Sequence, residues 1–278
     1  MKKSLNLLTN FSNIVRLLLF SLFVPYFFFS QVTPKLVEEF KMDIQSSSTF
    51  DVDALGNLYV GNFQLLQKYN SNNQLLFQQS IKSIGAISGI DARNPLKIIL
   101  FSKEQQTISI FDNNLNLQNQ LDLSDFGIKN AVCFSASDQP SKFWIYDQPN
   151  STLCMIDLST NQIQRVQNMN QLIGSSEIIQ LQEYENYLYL VDSKKGVYQL
   201  DFYGSLVAIY PIPSTCISIE KNILYVYFEN KISLLSNQST IPTILTTQIQ
   251  AIELKATGNS IYLKSNNQLI KYSIIQKK

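Results

Sequence analysis

Three pairs of acidic side chains have the close spacing that acid–base chemistry uses: Asp51 with Asp53, Asp122 with Asp125, and Glu183 with Glu185. Two carboxyl groups that flank a scissile bond can serve as general acid and as base or nucleophile. Asp51 and Asp53 lie two residues apart in the β-like run "TFDVDALGNLYVGN", residues 49–62, so they share one face of a strand. The competing reading is structural, with one carboxylate bonding the backbone of the following turn and the other solvated. Glu183 and Glu185 flank Tyr184 in a predicted hairpin turn and read as solvated.

The chain contains no histidine. That removes the commonest general base and metal ligand, and it excludes a Ser–His–Asp or Cys–His device within this chain. Two ligands around Asp51 are too few to define a cation site, and neither an EF-hand loop nor a Gly-rich phosphate cradle occurs. No catalytic residue, metal site or cofactor is therefore expected, and the chain reads as a non-enzyme. Cys133, Cys154 and Cys216 form an odd set and read as buried thiols acting as small hydrophobes.

Charged residues make up 15% of the chain, against about 25% in ordinary soluble domains. Asn, Gln, Ser and Thr carry the polar share. Three of the 22 basic residues, Lys2, Lys3 and Arg16, lie within residues 1–30, which leaves 19 basic against 21 acidic residues beyond them. Only Arg93 and Arg165 remain there, with no basic cluster of the kind that displaces counterions from phosphates, so nucleic acid is not an expected partner. The basic start, the apolar run from Leu17 to Phe29 and the polar segment from Ser30 onward follow the secretory pattern. Residues 1–30 are expected to be a signal peptide cut near Ser30, and the chain to be exported, periplasmic or secreted. The alternative is an uncleaved anchor through residues 17–29.

These side chains must be positioned by a repeat. Six times, a short apolar strand, a turn and an aromatic-rich strand recur, with Tyr59, Ile99, Trp144, Tyr189, Tyr225 and Tyr262 as equivalent landmarks. Their spacings are 40, 45, 45, 36 and 37 residues, the length of a four-stranded propeller blade. A third strand follows each copy and ends in Asn, Asp or Ser, whose side chain can bond the next turn. A fourth, more polar strand suits an outer edge. The fold class expected is all-β, a six-bladed β-propeller over residues 31–278. Its blades lie near 47–81, 87–123, 131–168, 177–212, 215–247 and 250–276. The sixth copy lacks a fourth strand, while "KLVEEFKM", residues 35–42, has no partner. The simplest closure makes this N-terminal strand the outer strand of the last blade.

"DALGNLYV" at 53–60 and its echo "ATGNSIYL" at 256–263 make the chain resemble the six-bladed propellers of the NHL and related repeat families. The resemblance concerns repeat architecture alone. It implies that ligands meet the face built by the loops joining strands two to three and four to one. Carried onto this sequence, that face offers Lys103, Glu104, Asp147, Asp192, Lys194, Lys195, Glu229 and Lys231. The resemblance would also admit histidine-containing sites of metal-dependent lyase propellers, which this chain cannot build. The functional expectation is an exported, non-catalytic, monomeric module that binds a protein or glycan in the cell envelope. Membrane contact is expected only through residues 17–29. The alternative is a carboxylate-dependent enzyme acting on a sugar or peptide at the propeller axis.

Overall fold

The computed structural model describes residues 34–276, apart from 175–176 and 237–238. The leader expected over residues 1–30 lies outside the described residues. Among the described residues no helix is long and apolar enough to cross a membrane.

Strand β1 spans Pro34–Asp43. Blade 1 follows as β2 Thr49–Val52, β3 Leu58–Gly61, β4 Leu65–Tyr69 and β5 Leu75–Ser80. Blade 2 is β6 Gly89–Asp91, β7 Ile98–Ser102, β8 Thr107–Phe111 and β9 Leu117–Asp122. Blade 3 is β10 Ala131–Ala136, β11 Lys142–Asp147, β12 Thr152–Asp157 and β13 Gln162–Val166. Blade 4 is β14 Ile178–Tyr184, β15 Tyr187–Asp192, β16 Gly196–Asp201 and β17 Leu206–Tyr210. Blade 5 is β18 Cys216–Glu220, β19 Ile223–Phe228, β20 Lys231–Ser236 and β21 Ser239–Thr246. The last blade joins β22 Glu253–Thr257, β23 Ser260–Lys264 and β24 Gln268–Gln276 to β1. Five of these sheets are antiparallel meanders, and the last is a three-stranded meander extended by β1.

The apolar core is divided among the six blade interfaces, one cluster to each, and each cluster holds one of the repeat landmarks. Tyr59 packs between blades 1 and 2, Ile99 between 2 and 3, and Trp144 between 3 and 4. Tyr189 fills the next interface, Tyr225 the one between blades 5 and 6, and Tyr262 the seam between blades 6 and 1. Burying one such side chain contributes about 1.5–3 kcal/mol. A blade alone exposes both faces of a sheet, so the ring is the smallest unit that buries them.

Ring closure is by β1. It pairs antiparallel with β24 from Pro34 opposite Gln276 to Asp43 opposite Gln268, with a bulge between Glu38 and Phe40. An extra residue reverses the in–out alternation of a strand. Accordingly Leu36, before the bulge, packs on the interface towards blade 5, while Phe40 and Met42, after it, pack on the interface towards blade 1. Glu39 is the bulged residue. Its carboxylate pairs with Lys271 at 2.6 Å and accepts from the Ser273 hydroxyl.

Candidate functional site

The innermost strands β2, β6, β10, β14, β18 and β22 enclose a central cavity of about 400 Å³. The residue paired with the landmark of each blade is Asp51, Asp91, Ser135, Gln182, Ser218 or Lys255. All six line the cavity, so one register of the repeat builds one polar ring.

This ring ties successive blades together. Asp51 Oδ2 accepts from Ala92 N at 2.7 Å, and Asp91 Oδ2 from Ala136 N at 2.9 Å. Ser135 Oγ accepts from Glu183 N at 2.9 Å, and Ser218 Oγ from Ala256 N at 2.9 Å. In each case the donor is the residue just after the ring position of the next blade. Lys255 has no acceptor to offer, and it closes the ring as a cation, 2.6 Å from Asp51 Oδ1. One tier nearer the strand starts, Gln180 bonds both the N–H and the C=O of Ile217 in the next blade, at 2.8 and 2.9 Å. Glu253 accepts from Thr49 Oγ1 at 2.8 Å and pairs with Lys264 at 3.0 Å. Gly89 belongs to the same tier, where an added Cβ would stand 2.8 Å from the Phe134 ring.

The cavity ends differ. At the strand starts, Ser88, Thr215, Ile179 and Ile252 are exposed. This is the mouth, on the side of the loops joining strands four to one and two to three. At the other end Arg93 grips Asp91 through a fork, with Nη2–Oδ2 2.8 Å and Nε–Oδ1 3.2 Å. It also donates to Ser135 Oγ at 3.1 Å, to the Ala136 carbonyl at 2.5 Å and to the Glu183 carbonyl. Arg93 thus bridges blades 2, 3 and 4 below the ring.

Two ring carboxylates are driven apart electrostatically. Burial raises Asp51 above its ordinary range, against the charge of Lys255 and with the help of neighbouring Asp91. Burial acts the same way on Asp91, but the charge and hydrogen bonds of Arg93 outweigh it and bring Asp91 down to about 2. Burial pushes the Cys133 thiol up to about 12 and Cys154 to about 11. Cys133, Cys154 and Cys216 are free and buried, with Cys133 and Cys154 on the non-adjacent strands β10 and β12.

The acidic pairs of the sequence separate. Asp51 enters the ring, while Asp53 is consumed by its hairpin, accepting from Leu55 N, Asn57 N, Asn57 Nδ2 and Tyr59 OH at 2.7–3.1 Å. Asp122 caps a short 3₁₀ turn through Ser124 N at 2.8 Å. Glu183 corrects the sequence reading: it is not solvated but 0% exposed. It accepts from Trp144 Nε1 at 2.5 Å, Ser137 Oγ at 3.0 Å and Asp138 N at 2.9 Å. Of the loop residues, Lys103, Glu104, Lys194, Lys195, Glu229 and Lys231 are exposed. Asp147 and Asp192 are buried. Asp147 accepts from Asn130 N and Asn150 Nδ2, and Asp192 from Lys194 N and Lys195 N. These two carboxylates organise the loops that carry the exposed charges. Arg93, Glu183 and Lys255 were not singled out as a set by their sequence positions.

No family model matches the chain, and no curated protein matches it in sequence. Solved structures do. A streptogramin B lyase aligns with a TM-score of 0.62 at 10% identity, over 87% of this chain and 98% of that one. Virginiamycin B lyase from Staphylococcus aureus aligns at 0.61 and 12% identity, over 87% of this chain and 100% of that one. The WD40 domain of Neurospora crassa Pan2 aligns at 0.58 and 9% identity, over 81% and 88% of the two chains. The expectation of a non-enzyme is corrected by this finding, because the fold is shared with a lyase and is no argument against catalysis. A catalytically inactive histidine-to-alanine variant of virginiamycin B lyase is also among these structures. The lack of histidine here rules out histidine chemistry and nothing wider. At these identities the likeness is one of fold, and the chain is a six-bladed β-propeller closed by its N-terminal strand.

Proposed function

We propose that this propeller is a binding module that engages a protein partner across the mouth of its central cavity. The observation that carries the reading is the layout of that face. Ile179 and Ile252 stand exposed at its centre, 39% and 41%, with Ser88 and Thr215 between them. Around them stand Lys103, Glu104, Lys194, Lys195, Glu229 and Lys231, all exposed and of both signs. An apolar centre within a charged, solvated rim is the anatomy of a transient protein interface. The cavity supports the reading, because Asp51, Asp91, Ser135, Ser218 and Lys255 of its ring are spent on holding blades together. The basic start and apolar run of residues 1–30 in the sequence fit export of the module to the envelope or beyond.

The test places a photo-crosslinking side chain at Lys103, Lys194 or Lys231 on the mouth face, and at Lys221 or Asn259 on the hairpin face, in the full chain in its native cells. One protein captured from the mouth positions alone is the expected result. Capture from the hairpin face alone, equal capture from both faces, or no capture overturns the reading. N-terminal sequencing of the mature chain tests export, with Gln31 expected as the first residue and Met1 contradicting cleavage.

A second reading rests on Asp51 and Asp91. Two carboxyl groups in one cavity, one raised and one lowered, is the division that acid–base catalysis uses. It would act on a sugar or peptide reaching the ring. Hydrolysis of glycoside or peptide probes by the full chain, abolished in Asp51→Asn, would support it, and no turnover of any probe would overturn it.

A further inference from the structure

Between blades 4 and 5, on the hairpin face, the chain brings Tyr184, Tyr187, Tyr189 and Tyr210 together with Gln199 and Asn222 around a notch of about 70 Å³. The concentration of tyrosine in the fourth repeat is visible in the sequence, and the binding face at the cavity mouth makes no use of it. We infer that this notch is a carbohydrate site that takes one neutral pyranose residue of a glycan.

Gln199 carries the argument. It is 8% exposed, and its Oε1 accepts from Tyr210 OH at 2.9 Å. That bond fixes the amide, and its Nε2 donates to no group among the described residues. Nε2 therefore meets solvent in the notch, where a ligand oxygen can accept from it. Tyr184 OH is oriented in turn by Asn222 N at 3.3 Å.

The lining contains no lysine, arginine or carboxylate, and just outside it Glu185 and Glu220 act on Tyr184, so the ligand is not an anion. Aromatic rings alone would also suit a quaternary ammonium group, but the Gln199 amide turns the positive end of an N–H dipole into the notch. A sugar ring meets both demands. Its C–H face lies against aromatic surface, and its oxygens accept hydrogen bonds. The notch has room for only about two water molecules at ~30 Å³ each, so it holds one edge of the ring. The remainder rests on Tyr187, which is 40% exposed. Aliphatic Ile219 and Leu224 of blade 5 form part of the floor.

Saturation-transfer NMR on the full chain tests this, with methyl glycosides of glucose, galactose, mannose and N-acetylglucosamine, and tetramethylammonium as the cationic probe. At least one glycoside is expected to bind. Gln199→Met should weaken it about two- to tenfold, one neutral hydrogen bond's worth. Tyr187→Ala should weaken it too, with a melting temperature close to the parent's because that ring is partly exposed at the notch edge. Lys103→Ala, on the opposite face, should leave it unchanged, which separates this site from the partner face. Binding of tetramethylammonium without any glycoside, binding by none, or binding indifferent to both notch variants overturns the inference.

Discussion

Replacing Glu183 by glutamine changes one buried atom and should destabilise the protein by about 2–4 kcal/mol. The carboxylate receives three donors, with Trp144 Nε1 on Oε2 and both Ser137 Oγ and Asp138 N on Oε1. A glutamine has one acceptor oxygen. If that oxygen serves Ser137 and Asp138, the amide NH₂ confronts the indole N–H. If it serves the indole, the serine hydroxyl can turn to accept, but Asp138 N is orphaned. Either way one donor loses its partner, the buried indole N–H or the amide of Asp138, about 1–3 kcal/mol with the indole at the upper end, and the surviving bonds are no longer charge-assisted. Glu183→Ala orphans both the indole and Asp138 N and should cost about 3–6 kcal/mol on the same reckoning. Trp144 is the one tryptophan of the chain, so its fluorescence reports urea unfolding at the affected interface, with stability read by linear extrapolation. A Glu183→Gln protein within about 0.5 kcal/mol of the parent, the range of ordinary surface changes, would refute the network.

The ring carboxylates should respond to pH with opposite signs. Asp91 falls from the ordinary 3.8 to about 2 when folded, so its contribution is present above 3.8 and is lost as pH falls through about 2. Asp91→Asn should cost about 3 kcal/mol at neutral pH, the low end for breaking a buried pair from one side, and the gap to the parent should narrow on acidification. Asp51 is raised when folded, so its contribution is full below 3.8 and is lost as pH rises through the folded value. Asp51→Asn should therefore gain on the parent as pH rises, a trend that urea titrations across the acidic range would detect. Gly89→Val should destabilise by about 1–3 kcal/mol through overpacking, since even a Cβ meets the Phe134 ring at 2.8 Å. An unchanged denaturation midpoint would show that blades 2 and 3 can separate there.

The repeat was legible because its period is carried by residues with one role in each copy. The landmarks plug six interfaces, and Asn70, Asp112, Asp157 and Asp201 at the ends of third strands accept from the N–H groups of the next turn. Glu183 was misread because the fourth repeat's hairpin is tighter than the sequence suggests. Its tip is only Glu185 and Asn186, with φ of 47° and 66°, the two-residue turn that matches strand twist. Strand β14 therefore runs on through Tyr184, and Glu183 faces an interface rather than water. The ring at the axis was half legible. Asp51 stood out as a carboxylate, but its partner Lys255 sits in the last blade and reaches it only when the circle closes. Arg93 reaches the Glu183 carbonyl 90 residues away, in a blade two places along, and no local pattern encodes that distance.

Hydrogen–deuterium exchange on the full chain, alone and with the protein captured by crosslinking, tests the proposed binding face most directly. The account predicts protection at residues 103–105, 193–195 and 229–231 and at the strand starts around Ile179, Thr215 and Ile252, with the hairpins at 185–186 and 221–222 unchanged. Protection confined to the hairpin face, or none on either face, would contradict it.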